Sequence, residues 1–206
     1  VNLRELVEFD LGETLESGDD WGLPVTLMSP DGEFQDKTVV CSINDISFIA
    51  ADSSINSSSD FREKRIKKND ELKFIGSENN TGIYTVIDID TNKIIVSEPI
   101  IDETSSAEIK IVNQNMPLYG QVLYDTLEQN PDTGADMIMH KPVVTLRRTS
   151  LVRIPEATER NRWLVSIPKT PSMTAELQPY IVGQPSEGGN SHGFIRLYLT
   201  QPLQST

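Results

Sequence analysis

Apolar and polar residues alternate along most of this chain with a period of two. At that spacing successive side chains point to opposite faces of a strand. The clearest case is "FIRLYLT": Ile195, Leu197 and Leu199 read as the inward set, with Phe194, Arg196 and Tyr198 on the other face. "RWLVSIP" puts Trp163, Val165 and Ile167 on one face, and "YGQVLYDT" does the same for Val122 and Tyr124. In "NNTGIYTVIDIDTNKIIVSEPI", Ile83, Thr85, Ile87 and Ile89 alternate with Tyr84, Val86 and Asp88. Asn80-Thr81-Gly82 breaks the chain before that run, Asp90 to Asn92 turn it, and Ile94 to Val96 return, which predicts a β-hairpin.

Other strands are expected from shorter signals. "GLPVTLM" precedes the turn Pro30-Asp31-Gly32. "TVVCSINDISFIAADSSINSSSDF" begins with β-branched strand formers and ends as a Ser/Asn-rich loop. "FREKRIKK" reads as one basic helical turn, followed by a strand through Leu72 and Phe74, and "AEIKIV" reads as another strand. "NPDTGAD" is a turn, "MIMHKPVVTLRRTSLVRIP" one long strand or two with a bend, and residues 183–193, "GQPSEGGNSHG", a glycine-rich loop. No stretch longer than about ten residues carries a 3.6-residue period. Many short strands between turn signals predict an all-β fold, a sandwich or a barrel.

Composition narrows the class. The chain has 206 residues, enough for one large or two small domains, and is 37 % hydrophobic, low but not disordered. A single cysteine, Cys41, excludes an internal disulfide framework and a multi-cysteine zinc site. The first residues, "VNLRELVEFDLGETLESGDDWG", lack the charged-then-apolar order of a signal peptide. No apolar run approaches the roughly 18 residues of a membrane span. The expectation is a soluble chain that uses no membrane.

Charge is unevenly spread. The formal net charge is −13: residues 1–36 carry −9, residues 37–115 carry −4, and residues 116–206 are neutral. Against that balance "TLRRTSLVRI", residues 145–154, alternates like a strand yet holds Arg147, Arg148 and Arg153. Three readings stay open. The arginines are solvated barrel-surface charge; or they pair with acids of an adjacent subunit, with Glu13, Glu16, Asp19 and Asp20 the first candidates; or they touch a DNA backbone in a channel, which the excess of acids makes the weakest. Val144 and Leu146 are expected to face the core, with Arg148 at the barrel end.

Catalytic and metal chemistry find little to stand on. His140 stands beside Lys141-Pro142 at a strand start and His192 in the glycine-rich loop; neither has a ligand partner at useful spacing. Cys41 lies in an apolar strand and reads as a small buried hydrophobe. "SEGGNSHG" lacks the Gly-Lys-Ser/Thr ending of a phosphate loop, and "DIDTN" lacks the glycine and distal glutamate of a calcium loop. The expectation is a non-enzyme with no cofactor and no metal.

Residues 20–36 and 117–206 resemble the head-completion (stopper, head–tail joining) proteins of tailed phages. The likeness rests on Pro142-Val143-Val144-Thr145, on Tyr180-Ile181-Val182, and on the glycine-bounded alternating strand Gly193 to Leu199. The middle is similar to a small all-β module that recurs in phage structural proteins. It is carried by "aDSSI", by Asn69-Asp70 where that pattern has glycine-aspartate, and by the "GS-x-N-x-G-x-Y-T-V" run from Gly76 to Val86. "SPDGEFQDK" enters this module and "VNQNMPLYGQ" leaves it, both polar and turn-rich, as suits two chain passages side by side. The organisation expected is an all-β chain. A small β-barrel core, residues 1–37 plus 113–206 with an acidic N-terminal arm, carries an inserted small β-barrel-like domain, 38–112.

The resemblance implies a structural protein of the virion, made in the host cytoplasm. It would form a ring with copies of itself, six by likeness to stoppers, at the head–tail joint. Its partners would be a portal or adaptor protein on one side and a tail tube or tail terminator protein on the other. DNA would pass through without sequence-specific binding. Another neck or tail component, such as a tail-completion ring, and a monomeric β-sandwich that binds carbohydrate or a cell surface remain alternatives.

Overall fold

The computed structural model describes residues 22–124, 126–129, 136–139, 141–159, 161–186 and 193–202. Among them there is no α-helix. The strands are β1 (Leu23–Pro24), β2 (Thr26–Met28), β3 (Phe34–Gln35), β4 (Lys37–Ile43), β5 (Ile46–Ile49), β6 (Ser54–Asn56), β7 (Glu71–Ile75), β8 (Ile83–Asp90) and β9 (Lys93–Val96). They continue as β10 (Glu103–Ser105), β11 (Ile109–Pro117), β12 (Tyr119–Leu123), β13 (Thr126–Gln129), β14 (Asp136–Met139), β15 (Val143–Arg147), β16 (Leu164–Pro168), β17 (Leu177–Ser186) and β18 (Phe194–Pro202). The chain forms two compact units, one of residues 37–117 and one of residues up to 36 with those from 118.

The first unit is an antiparallel sheet in the order β1-β12-β15-β18-β17-β16-β2-β3. β1 and β2 are one passage bent at Val25, yet β1 pairs with β12 and β2 with β16, near opposite ends of that order. The sheet therefore curls as a half-barrel, its β12 and β16 sides brought towards one another by this bent strand. The alternating residues fill the interior: Leu27, Val144, Leu146, Trp163, Val165, Ile195 and Leu197 are buried in one cluster. Ile167 and Leu199 join them, and Val122 and Tyr124 pack against the same cluster. β13 and β14 form a separate two-stranded hairpin.

The second unit is an antiparallel sheet in the order β10-β5-β6-β9-β8-β7-β11-β4. Here too β4 and β5, joined through Asn44 and Asp45, lie near opposite ends of the order. Its core gathers Ile46, Phe48, Ile55, Leu72, Phe74, Ile94 and Ile109. Phe48 meets Phe74 edge to face at 5.2 Å between ring centroids, a geometry that aligns the ring quadrupoles.

The insertion begins and ends at one place on the first unit. The Leu118 N–H donates to the Asp36 carbonyl oxygen at 2.8 Å. Within the second unit Lys37 stands opposite Pro117 at the ends of β4 and β11.

Several elements differ from the sequence reading, each for a tertiary reason. Ser54-Ile55-Asn56, expected in a loop, is strand β6, because Ile55 enters the core and the backbone pairs with both β5 and β9. Asn113 to Pro117, expected as a polar join, continues β11, with Asn113 buried and donating from Nδ2 to Asp70 at 2.7 Å. Gly183 to Ser186, expected in the glycine-rich loop, extends β17 against β18. On β8 the inward set is Tyr84 and Val86, leaving Ile83 and Ile87 exposed.

Candidate functional site: the arginine segment and the outer barrel face

The segment 145–154 is not one strand. β15 stops at Arg147, and a 3-10 turn spans Arg148–Ser150. The Arg148 N–H still donates to the Gly193 carbonyl oxygen at 2.9 Å, next in register after Arg147 and Phe194, and the chain then turns back, with the Leu151 N–H donating to the Arg148 carbonyl oxygen at 3.3 Å. Gln35, buried on β3, grips the chain from Ser150 to Arg153: its Nε2 donates to the Ser150 carbonyl oxygen at 3.2 Å and its Oε1 accepts from the Arg153 N–H at 3.4 Å. Val144, Leu146 and Leu151 are buried, as the alternation requires for the first two.

Arg153 lies off the strand and is engaged within its own unit. Its Nη1 donates to both carboxylate oxygens of Asp31, at 2.8 and 2.9 Å. Its Nη2 bonds Glu159, whose other oxygen accepts from the Trp163 indole Nε1–H at 2.9 Å. The guanidinium also lies over the Trp163 ring, 5.4 Å from its centroid, within cation–π range. The Ser29 hydroxyl, the Asp31 backbone N–H and Arg153 together hold the Asp31 carboxyl below its ordinary range. The cluster ties the β2–β3 turn to the segment after β15.

The candidate acids Glu13, Glu16, Asp19 and Asp20 lie outside the described residues. Arg153 instead meets Asp31 and Glu159. Arg148 is half-buried at the 3-10 turn. Arg147 is half-buried opposite Phe194 on β18.

The outward side of β12, β15 and β18 is a face in its own right. Residues directly opposite in an antiparallel pair share a side of the sheet. Leu123 of β12, Val143 of β15 and Tyr198 of β18 thus form one row; Gln121, Thr145 and Arg196 form the next; Arg147 and Phe194 form a third. Leu123 is 58 % and Tyr198 43 % exposed, and the Arg196 guanidinium sits over the Phe194 ring at 5.3 Å. β12, β15 and β18 contain no acidic residue, while Lys141 and Arg148 flank β15. The alternation of "FIRLYLT" already placed Arg196 and Tyr198 on this side; the strand neighbours that complete the face are set by pairing over long sequence separations.

In the second unit the well-bonded carboxylates serve the fold. Glu103 accepts from Ser77 Oγ, from the Glu78 and Asn79 N–H groups and from Asn80 Nδ2. Burial pushes its pKa up, but these donors outweigh that and hold it below the ordinary glutamate range. Asn80 is buried, and its Oδ1 accepts from the Ile101 N–H at 2.9 Å. Asp45 binds Ser57 Oγ and the Ser58 N–H in the same manner. Each carboxylate replaces strand pairing for a loop whose N–H groups otherwise lack partners.

Cys41 packs at the edge of the second core, and burial pushes its thiol up to about 12, leaving it protonated at neutral pH. His140 and His192 lie outside the described residues. Among the described residues no group of three or more His, Cys, Asp or Glu is placed to hold a metal ion.

No family model, no curated protein and no solved structure matches the chain.

Proposed function

We propose that this chain is a structural, non-catalytic protein of a tailed phage or phage-like particle, forming a ring at the head–tail joint. The observation that carries the reading is the placement of the three segments resembling stopper proteins. Pro142 to Thr145 leads into and forms β15, Gly193 to Leu199 forms β18, and Tyr180 to Val182 lies on β17, and these are consecutive strands of one curled sheet. Segments far apart in the chain thus form one continuous wall, as a shared barrel requires.

A ring built from head-to-tail contacts needs two different, complementary surfaces on each copy. In this reading the acidic sequence of residues 1–20 and the acid-free strands β12, β15 and β18 would be such a pair. In this reading a portal or adaptor protein and a tail tube or terminator protein bind on the two sides of the ring, and DNA passes through it.

The test is the mass of the purified chain, by light scattering coupled to size exclusion, with negative-stain images of the peak. The reading expects rings of about six times the 23.0 kDa of one chain. A chain that stays monomeric at every concentration, and binds no ring of the head–tail joint, overturns it.

A further inference from the structure

We propose that residues 1–20 of one copy dock on the outer face of β12, β15 and β18 of the neighbouring copy; this rests on the ring reading above. Three observations support it.

The first is charge. Residues 1–20 hold seven acids and one base, whereas the three strands hold no acid and carry the exposed Arg196. A planar guanidinium takes a carboxylate in a two-point contact that lysine does not reproduce.

The second is pattern. From Val7 to Leu11 the segment reads Val-Glu-Phe-Asp-Leu, apolar at every second position and acidic between. An extended segment of that kind presents apolar side chains to a surface and acids along its flanks. The barrel face has the matching composition: Leu123 and Tyr198 exposed around the nearly buried Val143, and Arg196 in the next row. Exposed apolar side chains adjoining one another and rimmed by charge are the ordinary mark of a docking surface.

The third is where the segment begins. Leu23 stands opposite Gly120 and Pro24 opposite Tyr119, in antiparallel sense. The described chain therefore starts beside β12, at the margin of that face. Twenty residues span up to about 66–72 Å when extended, enough to leave one barrel and reach the next. Arm to neighbouring face is a heterologous contact, which closes when repeated round a rotation axis. It also separates the roles of the arginines: Arg153 holds its own unit together, while Arg196 meets the next copy.

The test uses the full chain. A Gln121→Cys variant carrying a benzophenone at its new thiol is mixed with parent chain labelled with ¹⁵N, irradiated and digested, and linked peptides are read by mass. Cys41, protonated and packed at a core edge, is checked for labelling in the parent. The expected product joins the light residue 121 to a heavy peptide from residues 1–20. Adding Arg196→Glu to the probe chain should reduce that product by about tenfold or more, as for reversing a charge that meets its opposite in an interface. Reversing Glu13 and Glu16 to Arg in the heavy chain should recover it. The two chains are unfolded together and refolded before irradiation so that copies mix; light-to-light links alone then mean a chain's arm on its own face and overturn the proposal, as do links to any other segment or none. A parent that is oligomeric yet gives no arm link overturns this proposal alone. A parent that is monomeric overturns the ring reading with it.

Discussion

Glu159 is expected to matter for the indole it caps more than for the charge it carries. Trp163 is 1 % exposed, so its Nε1–H has no water to turn to if Glu159 is lost. Leaving a buried donor unsatisfied costs about 1–3 kcal/mol. The ion pair with Arg153 adds less, because the Arg153 side chain is 40 % exposed and a pair of that kind contributes about 0–1 kcal/mol. Glu159→Ala removes both and should cost about 2–3 kcal/mol. Glu159→Gln keeps an oxygen for the indole at 2.9 Å and gives up only the charge, so it should cost about 1 kcal/mol or less. Urea unfolding followed by tryptophan emission reads the difference, because Trp163 lies in the core of the first unit. A polar shift in native emission should accompany the Ala variant alone. If the two variants lose equal stability, the indole bond is not what Glu159 contributes and the reasoning about this cluster fails.

Three further outcomes are expected from the geometry. Replacing residues 37–117 by a short Gly/Ser linker should leave the first unit folded with a cooperative tryptophan transition, because Asp36 and Leu118 already share a hydrogen bond of 2.8 Å; loss of that transition counts against it. Gly120→Ala should destabilise the first unit by about 1–3 kcal/mol, since a Cβ there would stand 2.6 Å from Leu146 Cδ2 and 3.0 Å from the Thr145 carbonyl oxygen; an unchanged urea midpoint would contradict it. Glu103 has a depressed folded-state pKa because its four donors outweigh its desolvation. Its contribution is therefore complete above the unfolded glutamate value of about 4.3 and declines as pH falls through the lower folded value. Glu103→Gln should flatten the acid limb of the stability curve, measured by far-UV circular dichroism, and an unaltered limb would show the network to be inert.

The period-two pattern anticipated an all-β chain because most strands keep one face in a core. "FIRLYLT" and "RWLVSIP" show it best: their alternate residues are the ones buried. The pattern says less where both faces are apolar. On β8, Ile83 and Ile87 are as hydrophobic as Val86, and only the neighbouring strands decide that Val86 turns inward. It misleads where a distant group holds the turn after a strand. Nothing in "TLRRTSLVRI" marks Arg147 as the last paired residue; the turn that follows is held by Gln35, far away in sequence. For the same reason Arg153 read as a surface or interface charge, although Asp31 lies 122 residues away in the chain and directly against it in the fold. Arg196 and Tyr198 were correctly placed outward, yet their meaning depends on Leu123, Val143 and Arg147, which join them only through strand order.

The most direct measurement is an image of tailed particles that carry this chain, decorated with an antibody fragment raised against residues 37–117. The account predicts a collar of label at the single junction between capsid and tail, with the rotational symmetry of a ring. Label along the tail, at its tip, over the capsid vertices, or absent from the particle would contradict it.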